Sequence, residues 1–422
     1  MTPEIQELAV HGAEWTTKEL FTYPNEYIYW TIQIVMYPLM TGFVAGAFVL
    51  SSMYHVFGQK DLKDLAKFSL VFSFALLLVA PMPLLFHLQQ PQRNAEVFFT
   101  PHFTSAIAAF GMVYLIYAAI VASEIWFVYR KYFVEQAIAL KGQKGLVNSV
   151  NRLIYNLLTL GAYDIGEQAV HKDEKVVKAL AGVGIPVAFF LHGYAGFIFG
   201  SVKANALWMT PLMPVIFIMS AVVSGVALCM LTYIVIMEWK KFRATKKHED
   251  KISVEIKGAE VDVIRKASKY LIGAMIAAMT LEILDLVFRG YTAMKSWDIL
   301  RSVIYGKDFV NIFIFQYSLG NLLPFSLLLM PGLTIRRAVI CTTLVMLGVF
   351  MMRWNVVIGG QAFSNSYAGY MHYHLPIIPH NLESLREGVV GALIIAVLPF
   401  IFFWFFNKFA PSLEFKKHNT SE

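Results

Sequence analysis

The chain has 422 residues, of which 57% are hydrophobic and 15% charged, with a mean hydropathy of +0.58. Soluble domains carry about a quarter charged residues, so this balance excludes an ordinary water-solvated globule and makes lipid the solvent. The formal charge of +7 is no nucleic-acid footprint, because the basic residues sit in connections between apolar blocks; no nucleic-acid partner is expected.

The opening stretch, MTPEIQELAVHGAEW, lacks the basic-then-apolar plan of a cleaved signal, so the first apolar block is expected to insert uncleaved. Blocks long enough to cross a bilayer as helices follow near 28–56, 65–88, 104–129, 179–200, 211–237, 268–288, 309–330, 337–358 and 388–407. They predict an all-α, polytopic membrane protein, a single domain over 1–422. The stretch 146–169 carries Arg152, Asp164 and Glu167 and reads as an amphipathic surface helix; counted as a span it would make the bundle ten helices instead of nine. Residues 238–266 form a charged inner loop, and 359–387 an outer loop rich in His, Tyr and Asn.

With nine spans and the amino terminus outside, 26 of the 35 Lys and Arg residues fall on the inner side. That asymmetry predicts an outer amino terminus and a cytoplasmic carboxyl terminus in a prokaryotic cytoplasmic membrane. Cys229 and Cys341, the two cysteines, each lie alone in an apolar block. No iron–sulfur cluster, zinc site or disulfide framework is expected of this chain.

Ionisable groups inside spans are costly and mark sites or pathways. The notable ones here are His87, His192, Glu282, Asp285 and Arg353, and the loop charges alone place all five in the outer half. Glu282 and Asp285 are three apart and share a helix face, where two carboxyls could hold a proton between them. A structural reading stands beside this one: either acid could neutralise Arg289 or Arg353. His192, in FFLHGYAGFIFGS, is a core histidine or a ligand; Gly193, Gly196 and Gly200 would let a helix or a flat ring approach it. Arg353 could instead reach for the headgroups, and Glu124 reads as interfacial. A membrane haem wants two axial histidines at one depth, and nothing in the spacing of His55, His87 and His192 argues for that.

Particular strings carry a resemblance. RWNVVIGGQ (Arg353 to Gln361), YPLMTGFVAGAFVLS (Tyr37 to Ser51) and LLFHLQQPQRNAEVFFTPHFTS (Leu84 to Ser105) resemble motifs of the NrfD/PsrC-type, polysulfide reductase-like family of membrane subunits. The likeness runs from about 28 to 405, and His192 to Phe217 is most similar to the DsrP-like members of DsrMKJOP-type complexes. The resemblance implies a menaquinol-handling subunit without its own haem or cluster, exchanging electrons with a ferredoxin-like iron–sulfur subunit on the outer face. It implies a role in dissimilatory sulfur metabolism; the preferred reading of the ionisable residues has His192, Glu282 and Asp285 accepting protons and Tyr37, His87, His192 and Arg353 lining the quinone pocket. The chain departs from relatives that carry an acidic residue near the end of the second helix, where it reads APMPLLFHL with Pro81 and Pro83. Two other classes fit the same pattern: a secondary transporter, which also uses midspan carboxylates and glycine-broken helices, and a purely structural membrane anchor.

Overall fold

A computed structural model of the chain describes residues 27–102, 104–203, 205, 207–246, 259–291, 297–362 and 370–413. Nine helices among them are long and apolar enough to cross a membrane. These are α1 (Ile32–His55), α2 (Lys63–Val79), α3 (Ala106–Ala139), α4 (Glu167–Gly200), α5 (Met213–Lys246), α6 (Val261–Tyr291), α7 (Val310–Leu329), α8 (Ile335–Val357) and α9 (Val389–Phe409). No strand occurs among the described residues, only an isolated bridge between Tyr27 and His372. The middle of the charged 238–266 loop, residues 363–369 of the 359–387 loop and the opening stretch lie outside the described residues.

The first helix is the axis of the bundle. It is apolar on every side, its first 21 residues from Ile32 to Ser52 are all buried, and α2, α4, α5 and α8 pack around it. The closest approach is to α5, where a Cβ added at Gly225 would stand 2.4 Å from the Cα of Gly46. Without a hydrophobic drive between helices in lipid, such close backbone packing supplies the association energy. Polar side chains within α1 and α2 turn back on their own helices: Ser52 Oγ donates to the Phe48 carbonyl at 2.9 Å, and Ser69 Oγ to Leu65 at 2.7 Å.

The two ends of the bundle are held differently. At one end, called here the site end, the Ile28 N–H donates to the His372 carbonyl at 2.9 Å and Trp30 stacks on Trp208 at 5.2 Å. At the far end Lys266 pairs with Asp61 at 2.6 Å, and Arg130 pairs with Asp173 at 2.7 Å. That last pair explains why α4 starts at Glu167 rather than near 179: its charged first turns continue the helix and meet the extended end of α3. Before it, Leu146–Leu158 is an amphipathic helix with Leu146, Val150, Leu153 and Leu157 exposed, while Tyr155 packs against Phe133 and Phe409.

Three departures from regular helix fall at the site end. α2 stops at Val79, and after Pro81 the chain resumes as Met82–His87. Proline lacks an N–H and crowds the preceding turn, so it resets the helix there. In α7, residues Val310–Leu322 wind as a π-helix, a rare form found mostly at functional sites; Ser318 Oγ accordingly donates to the Phe313 carbonyl five residues back, at 2.7 Å. The third is Gly359–Gln361, one 3-10 turn that ends α8.

Candidate functional site

Arg353, four residues before the end of α8, is the largest fully buried side chain among the described residues. Its guanidinium donates to Ser220 Oγ at 2.6 Å and to His192 Nε2 at 3.0 Å, and it lies 3.9 Å from the centre of the Phe217 ring. Arginine has only donors, so Nε2 of His192 must accept and the ring proton sits on Nδ1. Nδ1 then faces Thr41 Oγ1 at 3.3 Å, whose own hydrogen goes to the Tyr37 carbonyl at 3.1 Å. The arginine does not reach for headgroups; it is locked between α4, α5 and α8. His192 is its orienting partner, with the imidazole lone pair already engaged.

The glycines beside His192 serve α5 rather than a ring. A Cβ at Gly196 would lie 2.8 Å from the Met213 carbonyl oxygen and from Pro214 Cα. This close contact places Phe217 and Ser220 against the arginine.

Glu282 and Asp285 share a face of α6 but not a proton-sharing contact. Asp285 Oδ2 accepts from Arg289 Nε at 2.8 Å, and Oδ1 accepts from Thr210 Oγ1 at 2.5 Å. Glu282 Oε2 accepts from Gln316 Nε2 at 2.9 Å, and Tyr317 lines the same cavity beside this carboxyl. The expected carboxylate pair is therefore two separate units, because each acid is drawn to its own hydrogen-bond partners, Asp285 to Arg289 and Thr210 and Glu282 to Gln316. Both structural and site readings survive: Asp285 neutralises Arg289, while Glu282 is close enough to Arg353 to feel its charge without an ion pair.

Between α6, α7 and α8 these groups line a cavity of about 110 Å³. Its polar wall is Glu282, Asp285, Arg289, Gln316, Tyr317 and Asn355; Leu207, Met213, Ile216 and Ile304 are among its apolar lining. Asn355 Nδ2 donates to Gln316 Oε1 at 2.7 Å, which fixes the glutamine so that its Nε2 faces Glu282. A second, smaller space of about 10 Å³ lies between Glu282, Asn321 and Ser220, on the side toward Arg353. The connection between α4 and α5 closes the site end: Trp208 Nε1 donates to the Val356 carbonyl at 2.5 Å, and Asn205 Nδ2 to Gly360 at 2.6 Å.

Of the residues expected to line the quinone pocket, Tyr37, His87, His192 and Arg353, none lines this cavity. Tyr37 belongs to α1, and His87 ends the short helix that follows α2. The Tyr37 ring meets Phe110 edge-on at 5.7 Å. His87 Nδ1 stands 3.7 Å from Glu387 of the short helix Leu382–Glu387. A second polar cluster gathers there: Gln33 Nε2 donates to the Arg386 carbonyl at 2.5 Å, and Gln33 Oε1, His87 Nδ1, Tyr373 Oη and Arg386 Nε are buried without hydrogen-bond partners among the described residues. Burial, reinforced by Glu383, pushes the Glu387 carboxyl above the usual range.

Glu124, read as interfacial, is fully buried within the bundle in α3, with both carboxyl oxygens unpartnered among the described residues. Charge-based reading also missed Gln316, Tyr317, Asn355 and Thr210, which are uncharged and carry no signal until the helices are packed. Among the described residues no group of three or more His, Cys, Asp or Glu is placed to hold a metal.

Comparison with known proteins now adds a family. Residues 21–365 match the family described as "Polysulphide reductase, NrfD". The chain is 32% identical over 259 residues to the C subunit of the selenate reductase of Mesobacillus selenatarsenatis, covering 59% of this chain and 58% of that protein. It is 24% identical over 318 residues to the membrane C subunit of a putative dimethyl sulfoxide reductase of Halobacterium salinarum, covering 75% and 65%. Against the protein NrfD of Escherichia coli it is 24% identical over 210 residues, covering 49% and 60%. The matched stretches thus span less than two thirds of each of these relatives. The nine apolar helices and the match across most of the chain give one conclusion: this is a multi-pass, all-α membrane protein, and it belongs to the NrfD family.

Proposed function

We propose that the chain is the quinone-handling membrane subunit of a multi-subunit reductase complex, oxidising menaquinol or reducing menaquinone in the cavity between α6, α7 and α8. One observation carries this reading: a carboxyl, an amide and a phenol (Glu282, Gln316 and Tyr317) converge on an apolar cavity at membrane depth. A quinol presents two hydroxyls that must lose protons, and a carboxylate at hydrogen-bond reach accepts them. Tyr317 and Asn355 supply further bonds to orient the ring, and the apolar lining suits its hydrocarbon part. Glu282 takes the proton in preference to His192, whose lone pair is engaged by Arg353.

Electrons leave to an iron–sulfur partner of the ferredoxin-like class, since Cys229 and Cys341, each alone in its helix, give this chain no set of cluster ligands. The names of the relatives support a reductase assembly, and the likeness of His192–Phe217 to DsrP-like subunits supports a DsrMKJOP-like complex in sulfur metabolism. The loop charges support a site end that faces outward, with the carboxyl terminus in the cytoplasm.

A second reading puts the quinone at Gln33, His87, Tyr373 and Glu387, favoured by the four unpartnered polar atoms there. Glu282→Gln and His87→Ala, each in the assembled complex in native membranes, separate the two. Loss of quinol-dependent reduction of the partner by about a hundredfold in Glu282→Gln, with His87→Ala near wild type, is expected. The reverse pattern assigns the site to the His87 cluster, and two active variants leave only an anchor. Wild-type protein that binds no quinone while moving a solute would make it a transporter.

A further inference from the structure

One buried carboxyl beside the cavity has no part in the chemistry above. Asp308 lies in the turn between Val303–Lys307 and α7 and is buried. Its Oδ1 faces Asn311 Nδ2 at 3.4 Å, while its Oδ2 has no hydrogen-bond donor among the described residues. Asn355 Oδ1 is in the same condition, although the Nδ2 of that amide donates to Gln316. Both residues flank Gly359: a Cβ placed there would stand 2.9 Å from Asp308 Oδ2 and 3.9 Å from Asn355 Cβ. Buried acceptors are satisfied in folded proteins, and a single water can give one hydrogen to each of two acceptors. The bare backbone of Gly359 lets the Asp308 carboxyl lie close against it, and a side chain there would crowd that oxygen and any water beside it.

The hydrogen bonds run from Glu282 to Gln316 at 2.9 Å and from Gln316 to Asn355 at 2.7 Å; the inferred water would carry the step from there past Gly359 to Asp308. The amides fix the geometry; carboxyls and water carry the proton. Past Asp308 the site end closes with Lys307, whose amine donates to the Met371 carbonyl at 2.6 Å.

We infer that Asp308 is the outlet group, receiving through water the proton that Glu282 takes from a bound quinol and releasing it at the site-end surface. This rests on the quinol occupying the Glu282 cavity. Each hydroxyl O–H of the quinol breaks in turn, its proton binding the Glu282 carboxylate. The two electrons pass to the iron–sulfur partner, one at a time, leaving quinone. Glu282 must empty between the two steps, so the outlet lies on the turnover path. Burial raises the affinity of Asp308 for a proton, and adjacent Lys307 and Asn311 oppose that rise, which leaves a group able to hold a proton in transit.

The test uses the whole complex in native membranes, with menadiol as reductant and menadione binding measured in parallel. Asp308→Asn is expected to slow turnover by about tenfold or more, with menadione binding unchanged. Formate or imidazole in the buffer should restore the rate, since a small weak acid can carry the proton where the carboxyl is gone. Asp308→Glu should keep most of the activity, and Gly359→Ala should be slow although it removes no titratable group. Wild-type turnover in Asp308→Asn, joint loss of turnover and menadione binding, or a slow rate that weak acids do not restore would each overturn the outlet. Normal turnover in Asp308→Asn beside a slow Glu282→Gln sinks the outlet alone. A wild-type complex that binds no menadione, or one stopped by His87→Ala and not by Glu282→Gln, sinks the cavity reading instead.

Discussion

Replacing Arg353 by Met keeps an unbranched side chain of similar length in α8 but removes every polar contact at that point. Two charge-assisted hydrogen bonds are lost, to Ser220 and to His192, together with the cation–π contact on Phe217. Bonds to a charged group contribute about 1.5–3 kcal/mol each, and a desolvated cation–π contact about 2 kcal/mol. Against these stands the cost of burying a guanidinium, several kcal/mol, which Met relieves. Breaking a buried network by removing one partner costs about 3–5 kcal/mol, whereas side-chain bonds between membrane helices average only about 0.6 kcal/mol. Arg353 makes its contacts across three helices, so a loss of about 3 kcal/mol is expected. A part of this arises because Glu282 loses a nearby positive charge with which it forms no ion pair. Adding Glu282→Gln to Arg353→Met should therefore recover at least about 1 kcal/mol relative to the sum of the single changes. Reversible SDS-driven unfolding in bicelles measures all four proteins. Arg353→Met as stable as wild type, or a double variant that is simply additive, would show that the arginine neither ties the helices nor serves Glu282.

Asp285→Asn should lower stability by about 1–3 kcal/mol, because Arg289 loses its buried partner, while quinol turnover falls far less than in Glu282→Gln; comparable turnover losses would reinstate a shared-proton pair. Gly225→Leu should prevent recovery of folded protein from detergent extracts, since even a Cβ there would stand 2.4 Å from Gly46 Cα; a monodisperse Gly225→Leu protein would mean that α1 and α5 do not cross there. Asp308 supplies a pH test of its own. Its carboxyl is raised in the folded chain, so its stabilising contribution is present below the ordinary carboxylate value of about 4 and fades as pH rises through the elevated one. Melting temperatures of wild type and Asp308→Asn should thus diverge in favour of the variant as pH rises from about 4 to neutrality; a pH-independent difference would refute it.

Much of the architecture was legible in the chain order of residues. In lipid every backbone group must be satisfied within its own helix, so apolar block length alone marks the spans, and nine were expected and found among the described residues. The motifs around Tyr37, Leu84 and Arg353 pointed to the NrfD family, which the match over 21–365 bears out. The cost of burying charge also drew attention to Glu282, Asp285, His192 and Arg353, and the structure buries His192 and Arg353 together and gives each acid its own hydrogen-bond partners.

What the sequence could not show is which of these groups meet. Helical spacing put Glu282 and Asp285 on one face, but their partners, Gln316 for one and Arg289 and Thr210 for the other, come from another helix, the next turn and a loop. His192 and Arg353 are 161 residues apart and touch only because the glycines of α4 bring α5 so close. His87 shares their end of the bundle but faces Glu387 instead. Uncharged amides such as Gln316 and Asn355 carry no burial penalty large enough to stand out in a sequence, and their roles appear only when packing aims them. Hydropathy is a property of each segment taken singly, so it fixes which segments enter the membrane; hydrogen-bond geometry is a property of pairs, and only the packed bundle decides it.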